Sequence, residues 1–145
     1  MDYLIEENIL NELNEPIISY DNEEINSLTY KIIGAAMDVY NNLGRGFLEA
    51  VYKDCLCIEF DKQKINYQKE KKFEIVYDGI KIPHFYCTDF IIENKVILEI
   101  KAQNLIIEEN VKQTINYLAV SKCKIGLLIN FGENSLKYKR VILTK

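Results

Sequence analysis

The sequence predicts one α/β (α+β) unit with elements in the order α-α-β-β-β-α-β-β. Three observations carry this reading. Apolar residues recur at helical spacing over Leu28, Ile32, Ala35, Ala36, Val39 and Leu43. The period then changes to alternation between Tyr67 and Tyr77, which ends in an Asp78-Gly79 hairpin turn. A short apolar run from Lys124 to Phe131 reads as a buried strand. At 145 residues and 48% apolar content, the chain has the size and composition for one core.

The elements follow in order. Residues 1–15 are expected to form a short helix, ended by Pro16. The next helix starts near Leu28 with Asn26 or Ser27 as its cap, and Gly44 ends it. Arg45-Gly46 links it to a helix from Leu48 to Asp61, whose apolar side is Val51, Tyr52, Cys55, Leu56 and Ile58. A strand from Tyr67 to Tyr77 pairs through Asp78-Gly79 with a return strand from Ile80 to Ile92, with Pro83 at a bulge or an edge. A turn at Glu93-Asn94-Lys95 leads to a strand from Val96 to Lys101. A polar helix from Ile107 to Ser121, the buried strand, and a strand from Tyr138 to Leu143 complete the chain.

Composition excludes several chemistries. A single His, His84, cannot build a site with two or three His ligands, and no nucleophile-elbow pattern is present. Cys55, Cys57, Cys87 and Cys123 form no CxxC pair and read as small buried hydrophobes. No Gly-rich phosphate loop appears. Hydrolytic chemistry must therefore rest on carboxylates, Lys and a hard metal ion. No apolar run approaches the roughly 18 residues of a membrane span, and the acidic start is unlike a signal peptide, so a cytoplasmic protein is expected. The net charge of −4 is unevenly placed: residues 1–30 carry eight acids and no Lys or Arg, and the remaining 115 residues carry a net +4. The bland reading of that leader is a solvated segment. The sharper one is that it covers a basic face of the body.

The third strand concentrates the chemistry. Glu99 and Lys101 lie two apart, so they share one face with Ile97. A three-residue loop at Glu93-Asn94-Lys95 sets Ile92 opposite Val96, Ile91 opposite Ile97 and Asp89 opposite Glu99. Opposed residues of an antiparallel pair sit about 5 Å apart, so two carboxylates there repel unless something positive lies between them. Lys101 is one candidate and a divalent cation the other. Mg²⁺ suits such a place because it takes oxygen ligands, commonly one or two carboxylates with water and phosphate.

Asp89, nine residues, then Glu99-x-Lys101 resembles the PD-(D/E)XK nuclease signature. Gly46-Phe47-Leu48-Glu49-Ala50-Val51-Tyr52 reads as G-x-x-E-x-x-Y, and the helical run from Leu28 to Ala36 precedes it. Gln113-Thr114-Ile115-Asn116-Tyr117-Leu118 follows, and Gly126 to Gly132 closes the set. Together these segments, from Leu28 to Leu143, resemble the GxxExxY family, a small branch of the PD-(D/E)XK superfamily. The resemblance implies a central mixed sheet flanked by helices. It divides the chain into an acidic extension, 1–26, and a nuclease-like domain, 27–145.

The resemblance also implies roles. Asp89 and Glu99 would hold the metal with the Ile100 backbone carbonyl. Lys101 would orient the attacking water and offset phosphate charge. Glu49 would be a further acid near the metal, and Gln113 a helix glutamine beside the site. The implied cofactor is Mg²⁺, with Mn²⁺ able to substitute. The implied substrate is nucleic acid, DNA before RNA, and no membrane is involved. One domain without a reader module has little sequence specificity, so a homodimer or a protein partner would choose the substrate. The chain departs from related sequences at Tyr40, Cys87 and Asn110, where they carry His, Arg and His. Those departures favour the alternative of a catalytically weak module that binds nucleic acid or protein. Lys69-Glu70-Lys71-Lys72 is basic and reads as a solvated strand face, Lys137, Lys139 and Arg140 form a small basic cluster that carries no argument alone, and His84 reads as a surface residue.

Overall fold

The computed structural model describes residues 3–7 and 22–143. Among the described residues six strands form one sheet, β1 (Tyr3–Glu7), β2 (Tyr67–Tyr77), β3 (Ile80–Ile92), β4 (Val96–Lys101), β5 (Ile125–Asn130) and β6 (Lys137–Leu143). Three helices cover it: α1 (Glu23–Leu43), α2 (Glu49–Lys62) and α3 (Glu108–Ser121). The spatial order is β1-β6-β5-β4-β3-β2. Only β4 and β5 run parallel, joined through α3, so the sheet is mixed as expected.

The sheet separates two cores. Val96, Leu98 and Ile100 of β4 face α1 and α2, together with Ile32, Tyr52, Leu56 and Phe60. Ile97 of β4 faces α3, with Val111, Tyr117 and Leu118. Alternation along β4 explains the split. β5 is buried at every position, as a strand covered on both faces must be.

Helix ends follow the local chemistry. α1 begins a turn earlier than the apolar pattern indicates, because Asn22 accepts a hydrogen bond from Ile25 N–H and Glu23 and Glu24 suit the first turn. It ends at Gly44, whose φ of 67° is open to glycine, and Gly44 N–H donates to Tyr40 O. The Asp78-Gly79 turn has φ of 53° and 75°, the left-handed pair of a type I′ hairpin. Near Pro83 the β2–β3 register shifts by two residues, from Glu74 opposite Phe85 to Val76 opposite Lys81, so the proline sits in a bulge.

The N-terminal helix expected over 1–15 is not what residues 3–7 form. They make β1, antiparallel to β6. Tyr3-Leu4-Ile5 suits a strand, and the edge of β6 offers backbone partners that a lone helix lacks. The element order thus gains a strand at its start. The rest of that predicted helix, with Pro16, lies outside the described residues. Within β1 the acids meet the basic C-terminal cluster: Glu6 accepts from Arg140 Nε at 2.6 Å and Glu7 pairs with Lys139 at 3.0 Å. For these residues the leader does cover a basic face. The cysteines also depart from expectation in part: Cys123 is buried, Cys55 and Cys57 are half-buried, and Cys87 is exposed.

Candidate active site

β3 pairs with β4 through Ile92–Val96, Ile91–Ile97 and Phe90–Leu98, and the ladder then stops. The next two residues are Asp89 and Glu99. Their side chains take over the hydrogen bonding. Asp89 N–H donates to Glu99 Oε1 at 3.0 Å, and Ile100 N–H donates to Asp89 Oδ2 at 2.8 Å. Both carboxylates therefore lie where the strands part, held by backbone donors. Asp89 and Glu99, expected opposite each other from the short loop, are the next residues beyond the ladder and are joined there by a hydrogen bond.

β2 shows how Asp89 comes to lie there. Its pairs with β3 include Lys69–Phe90 and Lys71–Thr88, while Glu70 and Asp89 are left out of the ladder. One residue on each strand is skipped, so pairing resumes in the same register with the side chains on opposite faces. Tyr67 and Phe90 pack with α2, yet Phe73 and Tyr86 pack with the α3 cluster. Glu70 has a φ of 57°, outside the usual range for a strand residue with a side chain. Asp89 stands at this crossover between the faces.

Helices reach the carboxylates from both sides. From α2, Lys53 Nζ donates to Asp89 Oδ1 at 3.0 Å and lies 3.8 Å from Glu70. From α3, the Tyr117 ring packs edge-on against Tyr86, with centroids 5.4 Å apart. Burial raises the Tyr117 phenol, and the charges of Glu99 and Asp89 raise it further. Lys101 follows Glu99 on the same face of β4 and is half-buried.

The electrostatics are dominated by Glu99, which is 3% exposed. Burial, then the negative charge of Asp89, pushes its carboxyl up to about 8, against the opposing pull of Asp89 N–H and Lys101. Lys53 is pulled down by burial, but its hydrogen bond and ion pair with Asp89 outweigh this and raise it.

The remaining expected residues are placed less tightly. Glu49 is the first residue of α2 and is exposed, one turn before Lys53 on the same helix face. Among the described residues no third Asp, Glu, His or Cys joins Asp89 and Glu99 as a metal-holding group, so Glu49 stands apart from the pair. Gln113 is half-buried on α3, one turn before Tyr117 on that helix face. The segment around Glu49 is itself well braced. Tyr52, fully buried, donates to Gly44 O at 2.6 Å, accepts from Phe47 N–H at 3.2 Å and stacks on Phe131 with centroids 4.3 Å apart.

Two of the departures serve structure. Tyr40 donates its hydroxyl to Glu133 O, and Asn110 caps α3 by accepting from Ile107 N–H while also accepting from Gln103. Cys87 lies opposite Lys72 on β2, so that part of the ribbon keeps a cation. Lys53 and Glu70 were not singled out by sequence. The one signal that could have found Lys53 is its position four residues after Glu49 on a helix.

The donors suit a hard cation. Two neighbouring carboxylates are oxygen donors of the kind that Mg²⁺ takes, commonly together with water and phosphate. Among the described residues no helix is long and apolar enough to cross a membrane. No curated protein and no solved structure matches this chain. A family model described as the PD-(D/E)XK nuclease superfamily matches residues 26–141, which takes in most of α1, all of α2, Asp89, Glu99, Lys101 and most of β6. Spanning most of its length, that match makes the chain a member of the PD-(D/E)XK nuclease superfamily.

Proposed function

We propose that this protein is a divalent-metal-dependent nuclease that hydrolyses DNA phosphodiester bonds, from the GxxExxY branch of its superfamily. The observation that carries the reading is the pair of carboxylates, Asp89 and Glu99, held by backbone N–H groups where β3 and β4 part. Like charges gathered in a buried place are costly unless a cation joins them.

In this reading Asp89, Glu99 and the Ile100 carbonyl would hold Mg²⁺ or Mn²⁺. Such an ion supplies Lewis acidity toward a phosphoryl oxygen and makes a nearby water more acidic. The chain supplies the rest. Lys101, beside Glu99, orients the attacking water and offsets charge gathering on the phosphate. Tyr117 and Tyr86 close the α3 side. Glu49, on α2, and Gln113, on α3, would assist from the two faces of the sheet. The exposed Lys71 and Lys72 on the β2–β3 ribbon, rooted at Asp89, supply positive charge for a nucleic-acid backbone. A second copy of the chain or a protein partner would supply the sequence choice that one small domain lacks.

A second reading has one observation in its favour. Lys53 already neutralises Asp89, so the fold accommodates the carboxylates without an ion. A module that only binds nucleic acid or protein would be content with that pair.

Calorimetric titration with Mn²⁺ and Mg²⁺, on the wild type and Asp89→Ala, separates the two when plasmid and single-stranded DNA cleavage are run in parallel. The nuclease reading expects binding and cleavage, both lost in the variant. Absence of metal binding with DNA present would overturn it and leave the binding module.

A further inference from the structure

Lys53 is not accounted for by the roles above, although it makes the most direct side-chain contact with Asp89. Its ammonium lies 3.0 Å from Oδ1, and the two side chains are 15% and 19% exposed. Oδ2 is already committed to Ile100 N–H. Both oxygens of Asp89 are therefore engaged, one of them by a mobile-stemmed cation rather than by backbone. Glu70, 64% exposed, lies 3.8 Å from the same ammonium. It is placed there by the skipped pair between β2 and β3, which sets Glu70 beside Asp89 with a φ of 57°.

We propose that Lys53 is a built-in counter-ion that competes with the divalent cation for Asp89 and sets the metal affinity of the site, with Glu70 as the seat it takes when displaced. The proposal rests on the metal reading of Asp89 and Glu99. Its physics is simple repulsion. A divalent ion on Asp89 would lie within a few ångströms of the ammonium on Oδ1, and like charges that close repel strongly in a half-buried place. Transfer of the ammonium to Glu70 needs only rotation of a flexible Lys stem, since both carboxylates are within its reach. Exposure of Glu70 makes it the weaker seat in the absence of metal, because solvent screens an exposed pair more. The metal thus binds at the expense of the close Asp89 pair, while the looser pair with Glu70 tightens. The positioning is particular to α2, which brings Lys53 to Asp89 from the face opposite α3.

The test uses the full chain, with Mn²⁺ as the probe, and reads calorimetric affinity and the rise in Tm on adding metal. Lys53→Met is expected to bind Mn²⁺ about tenfold tighter, the order of a charge-assisted pair that no longer has to break. Its metal-free form should melt lower and gain more from Mn²⁺ than the wild type does. Lys53→Arg keeps the cation and should keep the wild-type affinity. Glu70→Gln should weaken Mn²⁺ binding in the wild type and do so less when Lys53 is already Met, since the displaced ammonium is then absent. Circular dichroism on each variant reports folding. Wild-type-like or weaker Mn²⁺ binding by a folded Lys53→Met protein overturns the counter-ion role while leaving the metal site standing. Failure of every variant and of the wild type to bind Mn²⁺ overturns both together. Equal effects of Glu70→Gln with and without Lys53 overturn Glu70 as the second seat.

Discussion

Burial and the neighbouring Asp89 carboxylate push Glu99 from an ordinary value near 4.5 up to about 8. An acid whose folded value is raised holds its proton more tightly folded than unfolded. Between about pH 5 and pH 8 unfolding therefore releases a proton, and stability falls as pH rises through that window. We expect urea midpoints measured in chelator to decline across it, and Glu99→Gln to remove most of the decline. A wild-type midpoint that stays level would show that Glu99 is ionised at little cost. Adding Mn²⁺ should flatten the wild-type curve, because a cation held by both carboxylates favours their charged form.

Among the elements, the segment between α1 and α2 depends on one hydroxyl. Tyr52 bonds Gly44 O and Phe47 N–H from a fully buried ring, and so fixes the turn that leads into Glu49. Tyr52→Phe keeps the stacking on Phe131 but leaves those backbone groups short of a partner. The expected cost is about 1–3 kcal/mol, read as a lower midpoint in urea unfolding. After β5 the backbone turns at Gly132. A Cβ there would lie 2.3 Å from Gln103 O, and backbone cannot move aside as a side-chain tip can. Gly132→Ala should therefore destabilise the protein by about 1–3 kcal/mol in the same assay.

For the molecule as a whole, β1 ties the start of the chain to its end. Arg140 is 1% exposed and is held by Glu6 and by Asn26. Removing Glu6 takes a charge-assisted hydrogen bond away from that buried guanidinium, so Glu6→Ala should cost about 2 kcal/mol. Glu7, 58% exposed, pairs with Lys139 nearer the solvent. Glu7→Ala should cost under about 1 kcal/mol, and the contrast between the two in chemical denaturation checks the account. These pairs account for two of the eight acids in residues 1–30: Glu6 and Glu7 answer bases of the last strand.

Local pattern was enough for most of the elements and for the central pair of the site. The boundaries of β2, β3 and β4 follow from alternation and from the Asp78-Gly79 turn. Asp89 opposite Glu99 was legible because only three residues separate their strands, which leaves little freedom of register. Glu70 beside Asp89 was not legible. Counting back from the Asp78-Gly79 turn pairs Glu70 with Cys87, and the bulge around Pro83 moves the partner on by two. The contact of Lys53 with Asp89 was hidden for a related reason, since 36 residues separate them and helix–sheet docking decides the meeting. β1 was misread as helical because a strand at a sheet edge is defined by its neighbour, and β6 lies at the far end of the chain. Short-range spacing is set by backbone geometry and can be counted along a chain. Contacts between distant segments are set by packing and by the placing of charge, and they exist only once the sheet has closed around its two cores.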